Sequence, residues 1–284
     1  MSTYKYATLF LARNISVNQT RTFFSNLKCL DVTINRENGV AYVLMKHPPV
    51  NTLNMQLISE LSLTLSNLEK SKCQGMILSS IFDKVFCSGL DLNELLKPKP
   101  ERVKGYFSTF QELVIQLYGS SFPTVAAMTG HSPAGGCVLG MCCEYRVMKK
   151  NSQIGIPGSR MGIALPRYIV NLMSSTIGLR NAELMLTKGK ILNTDEALKV
   201  GLIDEIANDR TDAIRKAEDF LKEYEMIAPL ARGITKRIIR RSIIEDVKMN
   251  GAADLENFVS VIMLPEVQEK LDMYMYNLKN RKRD

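Results

Sequence analysis

The chain has 284 residues and a formal net charge of +8, with 45% hydrophobic and 23% charged residues. This length is enough to bury a large core, and the composition is ordinary for a globular protein. Because no stretch of about 18 apolar residues runs without a charge, the sequence predicts no membrane span. Two histidines, and six cysteines without paired spacing, argue against a zinc site, so we predict no metal. Most of the cysteines are expected to be small buried hydrophobes in a reducing compartment.

The first 30 residues are basic and contain no Asp or Glu. They are rich in Ser, Thr and Asn, with apolar patches such as Leu9, Phe10 and Leu11. This composition is typical of a mitochondrial transit peptide, and we assign residues 1–28 to one, which predicts a protein of the mitochondrial matrix. The alternative is a disordered basic tail. The basic residues of this segment are Lys5, Arg13, Arg21 and Lys28.

Strands and helices alternate over much of the chain. We predict five strands from short runs rich in strand-forming residues, at residues 32–34, 40–45, 75–80, 124–128 and 145–148. We predict helices from apolar spacing or an initial proline, at residues 54–70, 103–118 and 133–142. A further helix is expected around Leu92, Leu95 and Leu96, and from about Asn181 the pattern is helical almost to the end. This alternation predicts an α/β core at about 29–225 and a helical C-terminal region at 226–284.

Two glycine-centred segments look like the halves of a site that binds an oxyanion. They are residues 86–92, Phe-Cys-Ser-Gly-Leu-Asp-Leu, and residues 132–137, Ser-Pro-Ala-Gly-Gly-Cys. Gly135 lies at the start of a predicted helix, where N–H groups are unsatisfied and the helix dipole favours an anion. Leu90 follows Gly89 in a strand-to-helix turn and offers a second N–H. The alternative explanation of the second segment is close packing of a helix on a strand.

Together with Pro48-Pro49-Val50-Asn51 and Asn257-Phe258-Val259-Ser260, these segments carry a family resemblance. From about residue 31 to about residue 280, the chain resembles the enoyl-CoA hydratase/isomerase (crotonase) superfamily. Within it, the chain is most similar to the mitochondrial Δ3,Δ2-enoyl-CoA isomerases. The resemblance implies a crotonase-type α/β fold, a spiral of ββα units with a C-terminal helical region that builds trimers. We therefore expect a homotrimer, with a mixed trimer as the alternative.

The resemblance also implies the ligand and the residues that bind it. The ligand would be an acyl-CoA thioester, with no separate cofactor because CoA is part of the substrate. The N–H groups of Leu90 and Gly135 would stabilise an enolate, the segment from Ser88 to Leu92 would border the CoA pantetheine, and Pro157 would lie near the acyl group. The full set of expected substrate contacts is Ser88, Gly89, Leu90, Asp91, Leu92, Gly135 and Pro157.

At the two positions of the family's catalytic carboxylates, the chain agrees with the resembled isomerases at the first, where they are also apolar, and departs from them at the second. The family's hydratases use two glutamates; the first falls at Val138, which argues against hydration. The second, which the isomerases keep as their proton shuttle, falls at Gly158. Moving a double bond from C3–C4 to C2–C3 needs a group that takes a proton from C2 and returns it at C4. Such general acid–base catalysis typically contributes about 10²–10⁴-fold.

A carboxylate from elsewhere would have to replace the missing base, because no Asp or Glu lies between Glu144 and Glu183. Asp91 and Glu94 are the candidates nearest the oxyanion turn. The alternative for Asp91 is a helix cap, and the alternative for Glu94 is a solvated helix residue. We interpret Glu144 as structural, paired with an arginine or a backbone N–H.

A basic stripe on a predicted C-terminal helix has two interpretations. It is either a solvated face or a surface that attracts the phosphates of CoA. Nucleic-acid binding is not favoured, because no aromatic residues interleave the stripe. Its members are Arg232, Lys236, Arg237, Arg240 and Arg241.

Three functions remain open. The first is an enoyl-CoA Δ-isomerase of mitochondrial fatty-acid β-oxidation with a relocated or weakened base. The second is a non-catalytic relative that binds acyl-CoA or pairs with active subunits. The third is another crotonase reaction, such as thioester hydrolysis. The resemblance and the retained oxyanion segments favour the first.

Overall fold

A seven-stranded sheet forms the frame on which the other elements pack. The computed structural model describes residues 20–22, 27–71 and 73–280. Most of the predicted transit peptide, residues 1–28, therefore lies outside the described residues, although Thr20–Thr22 form an edge strand. In chain order the strands are β1 Thr20–Thr22, β2 Leu30–Asn35, β3 Val40–Met45, β4 Thr52–Leu53, β5 Gly75–Ser80, β6 Gly89–Leu90, β7 Thr124–Met128, β8 Ser132–Pro133, β9 Tyr145–Lys149, β10 Gln153–Gly155, β11 Ile191–Asn193 and β12 Glu205–Ala207.

The helices cover this frame and continue beyond it. They are α1 Met55–Lys70, α2 Pro100–Tyr118, α3 Gly135–Cys142, α4 Arg167–Ile177, α5 Leu179–Lys188, α6 Thr194–Lys199, α7 Arg210–Lys222, α8 Pro229–Ile262 and α9 Pro265–Asn280. The loops after β6 and β10 each contain a 3₁₀ turn, at Leu92–Glu94 and Gly158–Met161. In the part of the chain that the structure describes, no helix is both long and apolar enough to cross a bilayer.

The strand order explains how distant segments meet. The large sheet runs β1-β2-β3-β5-β7-β9-β12, antiparallel up to β3 and parallel from β3 onward. Two small sheets stand beside it, β11-β10-β8 and the parallel pair β4-β6. Strands β5 and β7 are parallel neighbours, so the chain leaves both of them at the same edge of the sheet. The loops that follow these two strands therefore lie close together.

Alternate side chains of the central strands pack on opposite faces of the sheet, as the period of a strand requires. On one face, Tyr42, Ile77 and Val125 pack with Ala217 and Leu221 of α7. On the other face lies the larger core. It contains residues from the strands and from α1, α2, α3 and α8, including Val43, Leu78, Leu61, Phe107, Leu139 and Phe258.

The structure confirms the five predicted strands and extends some of their ends. It corrects three other predictions. The helix expected around Leu92 is a single 3₁₀ turn, and the helix expected from Pro133 begins at Gly135, because Pro133 still pairs in the sheet with β10. The segment after Asn181 is not entirely helical, since β11 and β12 lie within it. Strands of three residues are too short to show an alternating pattern in the sequence.

A buried ionic cluster attaches the 34-residue helix α8 to the core. Glu144 accepts hydrogen bonds from Arg232, from Lys236 Nζ at 2.8 Å and from Thr124 N at 3.1 Å. Lys236 is only 6% exposed and also donates to Phe122 O at 3.1 Å. Buried charges cost little only when they are paired in this way. The structural role predicted for Glu144 is confirmed.

Arg240, one helical turn beyond Lys236, ties α8 to the ends of two other helices. Its Nη1 donates to Tyr118 O and to Cys142 O, both at 2.8 Å, and these residues are the last of α2 and α3. A cation is favourable at a helix C-terminus, where carbonyl groups lack partners. Lys236 is buried and paired with Glu144, so it does not lie on a solvated face. Because Lys236 and Arg240 are both engaged within the protein, neither is available to bind the phosphates of CoA. Both interpretations of the basic stripe were wrong for Lys236, because its ammonium is buried against the core.

Replacing Glu144 by glutamine is expected to destabilise the protein strongly. Removing one partner of a buried ion pair leaves uncompensated charge, at a cost of about 3 kcal/mol or more in the free energy of unfolding. The matched control is Glu245→Gln on α8, which breaks an exposed pair with Arg241 and should cost less than about 1 kcal/mol. Chemical denaturation of both variants measures the difference. Equal, small losses would contradict the anchoring role.

The same variant should show a defined pH dependence. Burial raises the pKa of Glu144, but Lys236 and Arg232 outweigh this effect and hold the pKa below its ordinary value of 4.5. A carboxyl group whose pKa is lower when folded contributes stability above its unfolded pKa and loses it as the pH falls. The stability difference between the wild type and Glu144→Gln should therefore shrink below about pH 4.5. A difference that grows on acidification would contradict this.

Candidate active site

Helix α3 begins at a point where two backbone segments touch. Its N-cap residue, Ala134, has a left-handed φ of +51°, and its N–H donates to Gly155 O at 2.8 Å. This backbone turn starts the helix at Gly135. The N–H of a first helical residue has no acceptor within the helix and points out of its end. The prediction that Gly135 lies at the start of a helix is confirmed.

The second segment, residues 87–90, lies directly against this helix end. A Cβ atom on Gly135 would lie 3.3 Å from Leu90 N and 3.2 Å from Gly89 Cα. A Cβ atom on Gly136 would lie 2.3 Å from Cys87 O, which no side chain permits. Gly89 itself has a φ of +96°. The close packing therefore places the backbone of Gly89 and Leu90 against the first residue of α3.

Hydrogen bonds from the loop before β4 hold residues 86–88, at the start of the second segment. Asn51 is fully buried, and its Nδ2 donates to Ser80 Oγ at 2.7 Å and to Phe86 O at 2.9 Å. The N–H of Ser88 donates to Val50 O at 3.1 Å. Strand β4 then pairs in parallel with β6, the strand that contains Leu90. The Pro-Pro-Val-Asn motif therefore contributes the buried amide of Asn51, which holds residues 87–90 in place. These residues contain the proposed donor Leu90 and form the donor turn.

Tyr106 on α2 holds the turn from the other side, and sequence reasoning missed it. Its side chain is fully buried, and its hydroxyl donates to Leu53 O in β4 and accepts from Asp91 N at 2.9 Å. One phenol thus joins β4 to the residue that follows Leu90. In the sequence Tyr106 is one of several large residues on the buried face of a helix, with no signal that distinguishes it from the core.

The two carboxylates near the turn are both engaged. Asp91 Oδ1 caps the 3₁₀ turn, accepting from Asn93 N at 3.0 Å and from Asn93 Nδ2 at 2.8 Å. Glu94 forms a bidentate pair with Arg102, with Oε2 2.7 Å from Nε and Oε1 2.5 Å from Nη2. Such pairs are among the stronger hydrogen bonds of proteins. Glu94 is therefore held in an ion pair with Arg102.

The turn that contains Gly158 follows β10, the strand paired with β8 just before α3. Pro157 is half-buried and Gly158 is buried. A Cβ atom on Gly158 would lie 2.9 Å from Leu165 Cδ2 and 3.2 Å from Ile163 O. The space that a side chain at position 158 would enter is therefore occupied by an apolar side chain and a carbonyl group.

Cysteines do not supply the missing reactive group. Cys87 precedes the donor turn, but burial raises its thiol pKa to about 12, as it does for Cys137 on α3. A neutral thiol is neither a base nor a good nucleophile. All six cysteines are free, and all except the half-buried Cys73 are buried, as predicted for small hydrophobes. Among the described residues no grouping of His, Cys, Asp and Glu is suited to hold a metal ion.

Replacing Tyr106 by phenylalanine should weaken the donor turn. The change leaves Asp91 N and Leu53 O without this partner in a buried place, which costs about 1–3 kcal/mol in the free energy of unfolding. Amide exchange should accelerate at Asp91 more than in the central strands. The control is Tyr276→Phe on α9, whose side chain is 67% exposed. Unchanged exchange at Asp91 would show that the phenol does not hold the turn.

Comparisons with known proteins agree with this geometry. The sequence profile of the enoyl-CoA hydratase/isomerase family matches residues 35–282. Mitochondrial enoyl-CoA delta isomerase 1 of Mus musculus is 36% identical over 276 residues, covering 96% of this chain and 94% of the relative. The Homo sapiens protein of the same name is 35% identical over 247 residues, 86% of this chain and 82% of the relative.

Solved structures of the same family share the fold of this chain. The crystal structure of human mitochondrial delta3-delta2-enoyl-CoA isomerase superposes with a TM-score of 0.87 at 34% identity, covering 90% of this chain and all of that one. An enoyl-CoA hydratase from Bacillus halodurans, 21% identical with a TM-score of 0.80 over 87% of this chain and all of that one, shares the fold. The predicted crotonase fold and the resemblance to the isomerases are confirmed. This chain belongs to the enoyl-CoA hydratase/isomerase family.

Proposed function

We propose that this chain binds enoyl-CoA thioesters and acts as a Δ3,Δ2-enoyl-CoA isomerase in the β-oxidation of unsaturated fatty acids. The observation that carries the proposal is the contact between Gly135 and the Gly89–Leu90 turn, which brings two backbone donors together. A thioester that loses a proton at C2 becomes an enolate with negative charge on its carbonyl oxygen. Two fixed N–H groups stabilise that charge, and each such donor is typically worth about 3–4 kcal/mol of barrier.

The surrounding backbone supports binding of the rest of the ligand. The segment from Ser88 to Leu92 borders the pantetheine in this proposal, and Pro157 lies beside the acyl group. The reaction moves one proton and one double bond within the substrate, so its atoms balance without a cofactor. The identities of 35–36% to proteins named mitochondrial enoyl-CoA delta isomerase 1 support the assignment of substrate class and reaction.

The proton transfer is where this chain departs from its relatives' pattern. Glu94 is the proposed substitute, because its carboxylate lies in the loop that leaves the donor turn. Its proton transfer from C2 to C4 requires the pair with Arg102 to open. Asp91 is the weaker candidate, since its carboxylate caps the 3₁₀ turn.

A second candidate function is a non-catalytic acyl-CoA-binding relative. The observation that favours it is the replacement of the usual glutamate by Gly158, with Leu165 filling the space beside it. In this case the donor pair polarises the thioester carbonyl, but no group moves the proton. The two candidates share the ligand and differ in turnover.

The cellular setting forms part of the same proposal. Relatives named as mitochondrial proteins, together with the basic and acid-free residues 1–28, support import into the mitochondrial matrix. Assembly as a homotrimer, or as a mixed trimer with active subunits, is proposed from the family resemblance. Cleavage after residue 28 would remove β1, which pairs with β2 at the edge of the large sheet.

The test is conversion of a 3-enoyl-CoA to its 2-trans isomer by purified protein, followed by the absorbance of the conjugated thioester. Binding of a saturated acyl-CoA is measured in parallel. An isomerase should reach a kcat on the order of 10 s⁻¹. Binding without turnover would support the second candidate. Absence of both would contradict the proposal that the ligand is an acyl-CoA thioester.

Glu94→Gln tests the substitute base. If Glu94 carries the proton, turnover should fall by about 10²-fold or more, while affinity for a saturated acyl-CoA stays near that of the wild type. Arg102→Gln is the matched control, because it breaks the same ion pair but leaves the carboxylate. It should retain turnover. Equal rates in Glu94→Gln and the wild type would remove Glu94 from the reaction.

Gly158→Glu combined with Leu165→Ala tests the second candidate. The glutamate restores a carboxylate at position 158, and the alanine vacates the space that Leu165 fills. For an inactive wild type, the double variant should gain isomerase activity, and Gly158→Glu alone should gain less. Leu165→Ala alone is the control. No gain in the double variant, despite retained acyl-CoA binding, would show that the missing glutamate is not the only obstacle.

A further inference from the structure

Helix α9 contacts the loop that leaves the donor turn through one amide side chain, that of Gln268. Its Oε1 accepts from Lys97 N at 2.6 Å, and its Nε2 donates to Leu95 O at 2.9 Å. The same Nε2 donates to Ile262 O, the last residue of α8, at 2.7 Å. One half-buried side chain thus joins the end of α8 and the start of α9 to a loop that is far from both helices in the sequence.

The segment that Gln268 holds is short and starts at a proposed donor. It runs from Leu90 through the 3₁₀ turn to Lys97, which has a left-handed φ of +47°. Tyr106 fixes its first part at Asp91 N, at 2.9 Å. Gln268 fixes its last part at two backbone groups. The loop is therefore held at both ends by side chains from two different helices.

Two further contacts anchor the helix that carries Gln268. Val267 and Leu271 of α9 are 3% and 0% exposed and belong to the main core. A Cβ atom on Gly162, the residue that closes the second 3₁₀ turn, would lie 3.2 Å from Lys270 Cδ and 3.7 Å from Val267 Cγ2. The same helix therefore touches the turn that contains Gly158. The ion pair between Lys97 and Asp272, at 3.7 Å and exposed on both sides, contributes little.

We infer that Gln268 is a positioning residue for the oxyanion donor at Leu90. It acts through the backbone of the loop from residue 91 to residue 97, and it links the direction of the Leu90 N–H to the docking of α9. The inference rests on the proposed binding of an acyl thioester at that donor. A loop that is free at Lys97 samples more conformations, and the donor then spends less time aimed at the thioester oxygen.

Gln268→Met tests this inference, because methionine keeps the length of the side chain and loses all three hydrogen bonds. Hydrogen exchange should accelerate at the amides of residues 91–97, and the central strands should exchange as in the wild type. Affinity for a saturated acyl-CoA should fall about 5-fold, the size expected for the loss of ordinary hydrogen bonds, while affinity for free CoA should stay unchanged. Glu269→Met, at the exposed neighbouring position, is the matched control.

Gln268→Glu provides a second variant should Gln268→Met fail to fold. It keeps an acceptor for Lys97 N and loses the donors to Leu95 O and Ile262 O, so its effects should be intermediate. Unchanged exchange in residues 91–97, or equal losses of affinity in Gln268→Met and Glu269→Met, would overturn the inference. Should the wild type bind no acyl-CoA, the proposed function fails, and the exchange measurement still decides whether Gln268 holds the loop.

Discussion

The contact between two glycine-bearing backbone segments is the constraint on which the site depends. Gly135 and Gly89 approach so closely that a Cβ atom on either would collide with the other segment or its neighbours. Glycine at both positions therefore allows the backbone at Leu90 to approach the first residue of α3. In the proposed reaction, these two backbone N–H groups stabilise the enolate oxygen without reorganisation. The remainder of the fold holds these two segments in this arrangement.

Three distant parts of the chain provide that support. Asn51 and Tyr106 hold the donor turn from the two sides, through buried hydrogen bonds to backbone groups. Arg240 on α8 binds the C-terminal ends of α2 and α3 together, and α3 carries the second donor at its other end. The ionic cluster around Glu144 secures α8 in turn. The C-terminal helix α8 therefore packs on the two helices that contain Tyr106 and Gly135, although it is far from both residues in the sequence.

The sequence predicted the two glycine segments of the candidate site, but it did not predict the side chains that hold them in place. Neither glycine segment was specific by itself, and the order of the two segments along the chain, together with the family resemblance, pointed to Gly89 and Gly135. Tyr106 and Gln268 give no such signal, since a tyrosine on a buried helical face and a glutamine on a surface helix are ordinary. Their roles depend on contacts between elements that only the folded chain brings together.

The charged residues show the same limit in two ways. Glu144 was correctly predicted to be structural, from its place in the segment Cys143-Glu144-Tyr145-Arg146, where the resembled family usually has an aspartate. Lys236 was placed on a stripe whose burial depends on which side of α8 faces the core, and a stripe of five basic residues predicts a solvated side. The strands β11 and β12 were missed because three residues carry no periodicity, and their pairing with β10 and β9 is a property of the sheet.

The most direct test of the central claim is the vibrational spectrum of a bound thioester. A saturated acyl-CoA, which the protein cannot isomerise, is isotope-labelled at the carbonyl carbon and added to the wild-type protein, and the carbonyl stretch is compared with that of the free ligand. Two N–H groups aimed at the oxygen weaken the C=O bond, so the stretch of the bound ligand should move to lower frequency, whether or not the protein turns over. A ligand that binds with an unshifted carbonyl stretch would contradict the assignment of Leu90 and Gly135 as oxyanion donors.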